Sequence, residues 1–189
     1  MSNRLILGIA KIGDLLLNNR ITTVEGGDSI DDIRLKIPEY QRPYKWTAKN
    51  ANQLLDDIEE AMYSNKEVYR VGTLILHYDE KRKEYNIVDG QQRTITFSLL
   101  LRCLCDEKIE FLGQQLSNNE HNLHNVVNNF RAMGRRIDKL VDVKEKRNLK
   151  DYICERCELI IVITRDLSEA FQFFDSQNAR GKALYPHDL

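Results

Sequence analysis

The sequence predicts an α+β fold, in which a small mixed sheet carries flanking helices and a helical insertion over residues 118–154. Three observations predict it. Short segments alternate apolar and polar residues with the two-residue period of a half-buried strand. Other segments space their apolar residues three and four apart, as amphipathic helices do. A long polar, helix-prone stretch lies before the last apolar segment and predicts the insertion.

In the N-terminal part, an opening helix is expected at about residues 11–18. The loose stretch at residues 26–29, Gly-Gly-Asp-Ser, is expected to separate it from the first strand. That strand is expected over residues 32–37, where apolar and polar residues alternate, and Pro38 ends it. Thr47 has the character of an N-cap and predicts the start of a second helix.

This second helix has one apolar and one acidic face. Its inner face is formed by Leu54, Leu55, Ile58 and Met62. The residues expected to face water are Asp56, Asp57, Glu59 and Glu60.

Two strands are expected next, at residues 71–78 and 84–88, joined by a polar turn into a hairpin. The second of them leads directly into Asp89 and Gly90. Residues 94–105 are apolar on nearly every side, so the helix that they predict should be central to the core. The pentapeptide Asp-Gly-Gln-Gln-Arg therefore lies at a junction between a strand and a helix.

The C-terminal third predicts helices around one buried strand. The inner face of the polar segment is expected at Val126, Val127, Phe130 and Met133. A continuous apolar run at residues 159–163 predicts the strand. Asp166 and Glu169 have capping-box spacing at the start of the next helix. Gly181 is expected to stop that helix, and Pro186 suits the first turn of another.

Composition limits the classes of function. Hydrophobic residues make up 42% and charged residues 30%, a balance typical of globular proteins. The formal net charge of −1 argues against a chain held to DNA by bulk positive charge, although a local basic groove remains compatible with it. No apolar run is long enough for a membrane span, and no signal peptide is legible, so a cytoplasmic protein without membrane contact is expected.

The four cysteines allow two interpretations. Cys103 and Cys105 form a CxC pair, and Cys154 and Cys157 form a CxxC pair, which together have the number of ligands that zinc takes. However, Cys103 lies in a leucine-rich segment, where a small buried hydrophobic residue fits. We therefore expect no zinc, and disulfides are not expected in a cytosolic protein.

The segment 89–93 is the first cluster with possible chemistry. A glycine turn that opens a helix presents free N–H groups and a positive dipole to an anion. Arg93 adds a guanidinium suited to phosphate oxygens, and Asp89 has a carboxylate that can hold a metal ion or a water. Gln91 and Gln92 can donate or accept without charge. The alternative is a structural corner in which Arg93 pairs with a nearby carboxylate.

The second cluster spans residues 37–46, IPEYQRPYKW. Its prolines favour an extended path. Gln41 and Arg42 can reach a phosphate or a base edge, while the aromatic residues can stack on a base. Alternatively Tyr40, Tyr44 and Trp46 anchor the segment in the core, and Arg42 is a surface ion-pair partner.

A third cluster gathers Asn178, Arg180 and Lys182 around the end of the last long helix. Cations at a helix C-terminus interact favourably with its dipole, so capping is a sufficient explanation. The histidines are scattered along the chain, and no nucleophilic triad is legible.

Taken in order, the motifs IPEYQRPYKW, IVDGQQRT and FDSQNARGKAL resemble the N-terminal domain of GmrS/GmrD-like proteins over roughly residues 11–189. The resemblance implies a ParB/sulfiredoxin-like superfold that binds a nucleoside triphosphate, with magnesium as its expected partner. It implies catalytic roles for Asp89 and Gln92, with Asp89 also the candidate magnesium ligand. The residues expected to bind nucleotide are Gln41, Arg42, Gly90, Gln91, Arg93 and Thr94. Asn178, Arg180 and Lys182 match a third motif without assigned roles.

The family resemblance also implies partners. In such proteins the domain is commonly followed by an HNH-type nuclease domain, in type IV systems that restrict modified phage DNA. The 189 residues are thus expected to form a single domain, the N-terminal part of a longer protein. This part would bind and hydrolyse the triphosphate and regulate the nuclease, without cleaving DNA itself. DNA contact is expected, if at all, through the full-length protein.

Three other functions fit the residues. The first is a non-catalytic module that senses DNA or a modified base through Tyr40, Gln41, Tyr44 and Trp46. The second is direct ParB-like nuclease action, for which no cluster of metal-binding carboxylates accompanies the Asp-Gly-Gln-Gln-Arg segment. The third is a purely structural or assembly role.

Overall fold

A seven-stranded mixed sheet organises the chain in its computed structural model, which describes residues 5–114, 116 and 120–181, without the side chains of residues 120–122 and 177–181. The strands are β1 (Ile6–Lys11), β2 (Ile21–Thr23), β3 (Ser29–Ile30), β4 (Leu35–Lys36), β5 (Tyr69–Asp79), β6 (Glu84–Asp89) and β7 (Cys157–Thr164). The helices are α1 (Ile12–Leu16), α2 (Ala48–Tyr63), α3 (Gln91–Leu104), α4 (Glu120–Ile137), α5 (Val143–Arg156) and α6 (Leu167–Gly181), with a 3-10 turn at Glu110–Gly113.

The strand order is β3-β2-β1-β7-β5-β6-β4. Strand β7 lies in the middle, antiparallel to β1 and parallel to β5. Strand β4 is parallel to β6, and the remaining pairs are antiparallel. The predicted α+β class, a small mixed sheet with flanking helices, is confirmed. The likeness to the ParB/sulfiredoxin superfold stays a prediction.

The sheet separates two apolar clusters. Leu159, Ile161 and Ile163 of β7 belong to the larger one, which includes buried residues of α1 to α5. The smaller cluster is formed by Ile75, Val88, Val162 and Ala170, the last of them on α6. Because successive strand residues point to opposite faces, α6 packs on the face opposite the other helices. Nine residues of α3 are buried, so its predicted central position is confirmed.

The N-terminal prediction is wrong in part. The opening helix is confined to α1, and the residues before it form β1, whose six residues all pair with β7. Residues 26–29 were expected to separate a helix from a strand. Instead, residues 26–28 lie in the connection of a hairpin between β2 and β3, and Ser29 begins β3. Gly26 and Gly27 have φ angles of 84° and 68° there. Long-range pairing with β7 stabilises β1 where local periodicity gives no strand signal.

The predicted hairpin is present as β5 and β6, and the predicted buried strand is present as β7. Thr47 precedes α2, and its N–H donates to Oδ1 of Asn50 at 3.0 Å. Asp166 caps α6 by accepting from the N–H of Ser168 at 2.8 Å. The carboxylate of Glu169 accepts from the hydroxyl of Thr164, a partner outside the expected capping box.

Helices α4 and α5 confirm that residues 118–154 are largely helical, whereas their status as an insertion in a single domain stays a prediction. The inner face of α4 differs from the expected one. Val126 and Met133 are buried, but Val127 and Phe130 are exposed, and Asn129 is fully buried in their place. The helix thus turns an amide inward, and that amide has hydrogen-bond partners near the candidate site.

The acidic face of α2 is not left wholly to solvent. Arg136 of α4 forms salt bridges with both Asp56 and Glu59, and its Nη1 donates to the carbonyl of Asn52 at 3.2 Å. Asp56 and Glu60 are exposed as expected, whereas Asp57 and Glu59 are only partly exposed, so the expectation is wrong for these two. No helix of the described part of the chain is long and apolar enough to cross a membrane. The predicted helix at Pro186 lies outside the described residues.

Two neighbouring residues of β7 provide a test of the sheet. Ile161 is fully buried in the larger cluster, whereas Ile160 is 38% exposed on the other face. We expect Ile161→Ala to lower the free energy of unfolding by about 2–5 kcal/mol, because it leaves a cavity in the core. Ile160→Ala should lower it by roughly 1 kcal/mol or less. Urea unfolding of both variants checks this, and equal losses would contradict the assignment of faces.

Candidate functional site

A cavity of about 480 Å³ lies where β6 ends and α3 begins. Residues 40–42 and Trp46 form one side, and residues 88–93 form another. Phe171 and Phe174 of α6 line it as well. The two sequence clusters that were expected to share a pocket are therefore brought together, although they are about 50 residues apart in the chain.

The turn into α3 depends on Gly90. Its φ of 97° is in the left-handed region, and a Cβ there would lie 3.0 Å from the carbonyl oxygen of Thr73 and 2.9 Å from Cδ1 of Leu74. The first helical bond of α3 runs from the N–H of Thr94 to the carbonyl of Gly90, at 3.0 Å. No side chain caps this end. The preceding N–H groups, at residues 91–93, therefore open at the cavity and favour an anion.

Arg93 is the main cation of the wall. It is partly buried, and no described carboxylate lies within salt-bridge distance of its guanidinium. Burial lowers the pKa of Arg93, and the charge of Asp89 opposes that effect. The guanidinium lies over Gly72 of β5, where an added Cβ would be 2.4 Å from Nη1. The alternative in which Arg93 is a structural ion-pair partner has no partner in the described part of the chain.

Gln91, like Arg93, is a polar residue of the cavity wall whose side chain has no partner in the described chain. It lines the cavity at only 4% exposure, and its amide has no hydrogen-bond partner among the described residues. The amide itself is not fully buried, because Oδ1 of Asn129 is the one fully buried side-chain nitrogen or oxygen without a partner in the described chain. Water or a ligand in the cavity can therefore give this amide its hydrogen bonds. The position is therefore suited to a polar ligand that supplies them.

The amide of Gln92 is bound to the loop before α2. Its Oε1 accepts from the N–H groups of Lys45 and Trp46, at 2.7 and 3.1 Å. Its Nε2 donates to the carbonyl of Pro43 at 3.1 Å. One side chain thus fixes three backbone groups of the loop that forms a wall of the cavity.

Gln41 fixes the same loop from its other end. Its Nε2 donates to the carbonyls of Ile87 and Val88, at 2.9 and 2.6 Å. The side chain therefore connects the loop with the end of β6. Arg42, next to it, is exposed and lines the cavity.

Tyr44 anchors the middle of the loop in the core. It is fully buried, and its hydroxyl lies 2.8 Å from Oγ1 of Thr96. Nδ2 of Asn129 donates to this hydroxyl at 2.7 Å and to the carbonyl of Trp46 at 2.8 Å. Asn129 was not predicted. Its position, three residues after Val126 and four before Met133, was a signal, because it interrupts an apolar stripe.

Tyr40 differs from Tyr44 in its surroundings. It is about half exposed at the cavity, and its ring lies 5.7 Å from that of Phe171 with an interplanar angle of 60°. The burial that remains raises the pKa of the Tyr40 hydroxyl. The interpretation of the aromatic residues as core anchors therefore holds for Tyr44 and not for Tyr40, while Trp46 both packs on the core and lines the cavity.

Most of the chain matches one known protein family. Residues 16–189 match the family described as GmrSD restriction endonuclease, N-terminal domain. The chain belongs to this family. The resemblance inferred from the three motifs is confirmed, and it associates this GmrSD N-terminal domain with a restriction system and so with defence against phage. No curated protein matches the chain.

The predicted site residues of this GmrSD N-terminal domain fall into groups. Those that line the cavity are Gln41, Arg42, Asp89, Gly90, Gln91, Gln92 and Arg93. Thr94 does not line it, because its buried hydroxyl donates to the carbonyl of Gly90 at 2.9 Å behind the turn. Asn178 and Arg180 lie on α6, but their side chains and the whole of Lys182 are outside the described residues.

The described wall of the cavity offers few ligands for a metal ion. Asp89 has the one carboxylate among the described residues of the cavity wall. In the described part of the chain, no group of three His, Cys, Asp or Glu residues is arranged to hold a metal ion. Burial raises the pKa of Cys103 and Cys154 to about 11 and that of Cys157 to about 12, which disfavours thiolates. Any metal at Asp89 would need ligand atoms from elsewhere, such as phosphate oxygens.

Arg93 and Arg136 are a matched pair of partly buried arginines that tests whether Arg93 has a structural role. We expect Arg93→Met to leave the free energy of unfolding unchanged or to raise it by up to about 1 kcal/mol, because a partly buried charge without a partner is costly. Arg136→Met should lower it by roughly 1–3 kcal/mol, because it breaks the bonds to Asp56 and Glu59. Urea unfolding measures both. A loss in Arg93→Met as large as that in Arg136→Met would make Arg93 a structural residue.

Proposed function

We propose that the cavity binds a nucleoside triphosphate with magnesium, hydrolyses it, and thereby regulates a DNA-cleaving partner in phage defence. The observation that carries the proposal is Arg93, a guanidinium without a carboxylate partner in the described chain, beside an uncapped helix N-terminus. Both features favour an anion with several oxygens. The volume of about 480 Å³ is within the usual range for small-molecule sites.

The phosphates would bind at the start of α3. The N–H groups of residues 91–93 and the guanidinium of Arg93 would contact the phosphate nearest the turn. Arg42 is exposed at the same cavity and would contact the outer phosphates. The partnerless amide of Gln91 would contact a ligand oxygen.

Asp89 fits a magnesium ligand. Magnesium is commonly bound by one or two carboxylates together with phosphate oxygens and water. When bound, the ion would neutralise charge on the phosphates. The carboxylate of Asp89 would hold it or orient the attacking water, and Arg93 would stabilise the charge that develops on the transferred phosphoryl group.

Gln92 was predicted to be catalytic, but its contacts favour a different role. Both atoms of its amide bind the backbone of residues 43–46. We therefore assign it the positioning of the loop that carries Trp46. To orient a water, it would have to give up one of these bonds.

The proposed control of a nuclease rests on the family. Its description names a restriction endonuclease and an N-terminal domain. A C-terminal nuclease of the HNH type, in the same chain or in a partner subunit, would be the element that the nucleotide regulates. With a net charge of −1, this domain would leave most of the contact with DNA to that partner.

A second function, sensing of DNA or a modified base without turnover, is favoured by one observation. Tyr40 and Phe171 form an exposed aromatic pair at the cavity. Such rings stack on unpaired bases. The nucleotide proposal is preferred because the aromatic pair alone gives no reason for the partnerless Arg93.

The main test is a calorimetric titration with ATP, GTP, CTP and UTP, with and without magnesium, alongside an assay of phosphate release. We expect Arg93→Gln to weaken binding about tenfold or more, because it removes charge-assisted hydrogen bonds to phosphate. Asp89→Asn should lower phosphate release about tenfold or more and weaken the dependence on magnesium. Arg102→Gln is the control, an exposed arginine in the last turn of the same helix.

The outcomes separate the two candidate functions. Binding with phosphate release, lost in the respective variants, supports the proposal. Binding without release, with or without DNA, would remove hydrolysis from it. A folded protein that binds none of the four triphosphates would overturn it and favour the sensing module.

Gln92→Ala tests the positioning role. We expect it to lower the free energy of unfolding by about 1 kcal/mol and to weaken nucleotide binding, because the loop at residues 43–46 loses its attachment to α3. A catalytic role would instead lower the rate of phosphate release and leave the dissociation constant unchanged. Urea unfolding, calorimetry and the release assay together decide between the two roles.

A further inference from the structure

The cavity at the start of α3 has an aromatic part that the phosphate contacts do not use. Four of the described residues that line it are aromatic, namely Tyr40, Trp46, Phe171 and Phe174. The two phenylalanines come from α6, which packs on the face of the sheet opposite α3. The anion-binding groups and the rings of α6 therefore reach one cavity from opposite faces of the sheet. A ligand that contacts both needs an anionic part and a flat apolar part, and a nucleotide has both.

Tyr40 and Phe171 are the exposed rings of this group. They are 48% and 39% exposed, whereas Trp46 and Phe174 pack against the two apolar clusters of the sheet. The centroids of the Tyr40 and Phe171 rings are 5.7 Å apart and the rings are tilted by 60°. In a tilted pair the edge of one ring meets the face of the other, which differs from a parallel stack. The exposed fractions show that ring surface is left free for another aromatic group, and nucleobases stack on such surface.

The described wall is less suited to reading the edge of a base. Of its three glutamine amides, those of Gln41 and Gln92 are bound to backbone groups. The third, Gln91, is in the first turn of α3, among the N–H groups that favour phosphate. Stacking on the face of a base needs no such groups and accepts every base, because each base has a π-face. The wall therefore favours binding through the ring face.

We propose that the base of the nucleotide stacks on the Tyr40–Phe171 pair while its phosphates bind at the start of α3. This inference rests on the proposed function and adds α6 to the site. The substrate class that follows is the nucleoside triphosphates as a group, with purine and pyrimidine bases alike. Adenine and guanine have the larger ring surface, so they should bind more tightly than cytosine and uracil.

Inorganic tripolyphosphate separates the two parts of the site, because it has the phosphates of a nucleotide and no base. Calorimetry of the whole chain in magnesium compares it with the β,γ-imido analogues of ATP, GTP, CTP and UTP, which resist hydrolysis. We expect the two purine analogues to bind about tenfold more tightly than tripolyphosphate, and the pyrimidine analogues to fall between. Phe171→Leu keeps an apolar side chain without a ring, so it should remove this preference and leave the affinity for tripolyphosphate unchanged.

Two further variants control for the shape of the cavity. Phe171→Tyr retains a ring and should keep most of the preference for nucleotides over tripolyphosphate. Tyr63→Leu removes an exposed ring of α2 that does not line this cavity, and it should leave all five dissociation constants unchanged.

A wild-type chain that binds tripolyphosphate as tightly as the four analogues would overturn the stacking of the base and leave the phosphate site in place. A preference that Phe171→Leu leaves unchanged would overturn it as well, because the base would then lie elsewhere. Equal weakening of tripolyphosphate and nucleotides in Phe171→Leu would make Phe171 a structural support of the cavity instead. If the folded wild-type chain binds none of the five ligands, the proposed function fails and this inference fails with it.

Discussion

The close approach of α3 to β5 is the constraint on which the candidate site depends. Two glycines permit it, one on each element. A Cβ at Gly90 would lie 3.0 Å from a carbonyl of β5, and a Cβ at Gly72 would lie 2.4 Å from the guanidinium of Arg93. Both also have φ angles that L side chains rarely adopt. The contact opens the N-terminus of α3 to the cavity and places Arg93 on bare backbone rather than beside a carboxylate.

Side-chain amides hold the remaining wall in place. Gln41, in the loop before α2, donates to backbone carbonyls of β6. Gln92 and Asn129 form hydrogen bonds with backbone groups of the loop itself. The three amides come from the loop itself, from α3 and from α4, so the position of Trp46 depends on three elements. Such attachment lowers the entropy that a ligand must remove on binding. It also connects α4 with the cavity, at the expense of one buried Asn129 oxygen that has no partner in the described chain.

The sequence was informative where local patterns carry the signal. Alternation and helical spacing located β5, β6, β7, α2 and α6, and the motifs brought Gln41, Arg42 and residues 89–93 to one cavity as expected. It was less informative about the first 30 residues, because β1 is stabilised by pairing with β7, about 150 residues away. Nor could it assign the glutamines, since Gln91 and Gln92 are adjacent and chemically identical, yet one has an unpaired amide and the other binds a distant loop.

By itself, then, the sequence determined the α+β class, the glycine turn before α3 and the family, because these depend on residue type and spacing along the chain. Only the tertiary structure decided that Arg93 has no carboxylate partner in the described chain, that Thr94 lies behind the turn, and that Gln92 binds the loop before α2. Each of these features depends on contacts that form only in the folded chain. Hydrogen-bond partners and neighbouring charges come from strands and helices far apart in the chain. Local sequence patterns do not predict the distances in space between such residues.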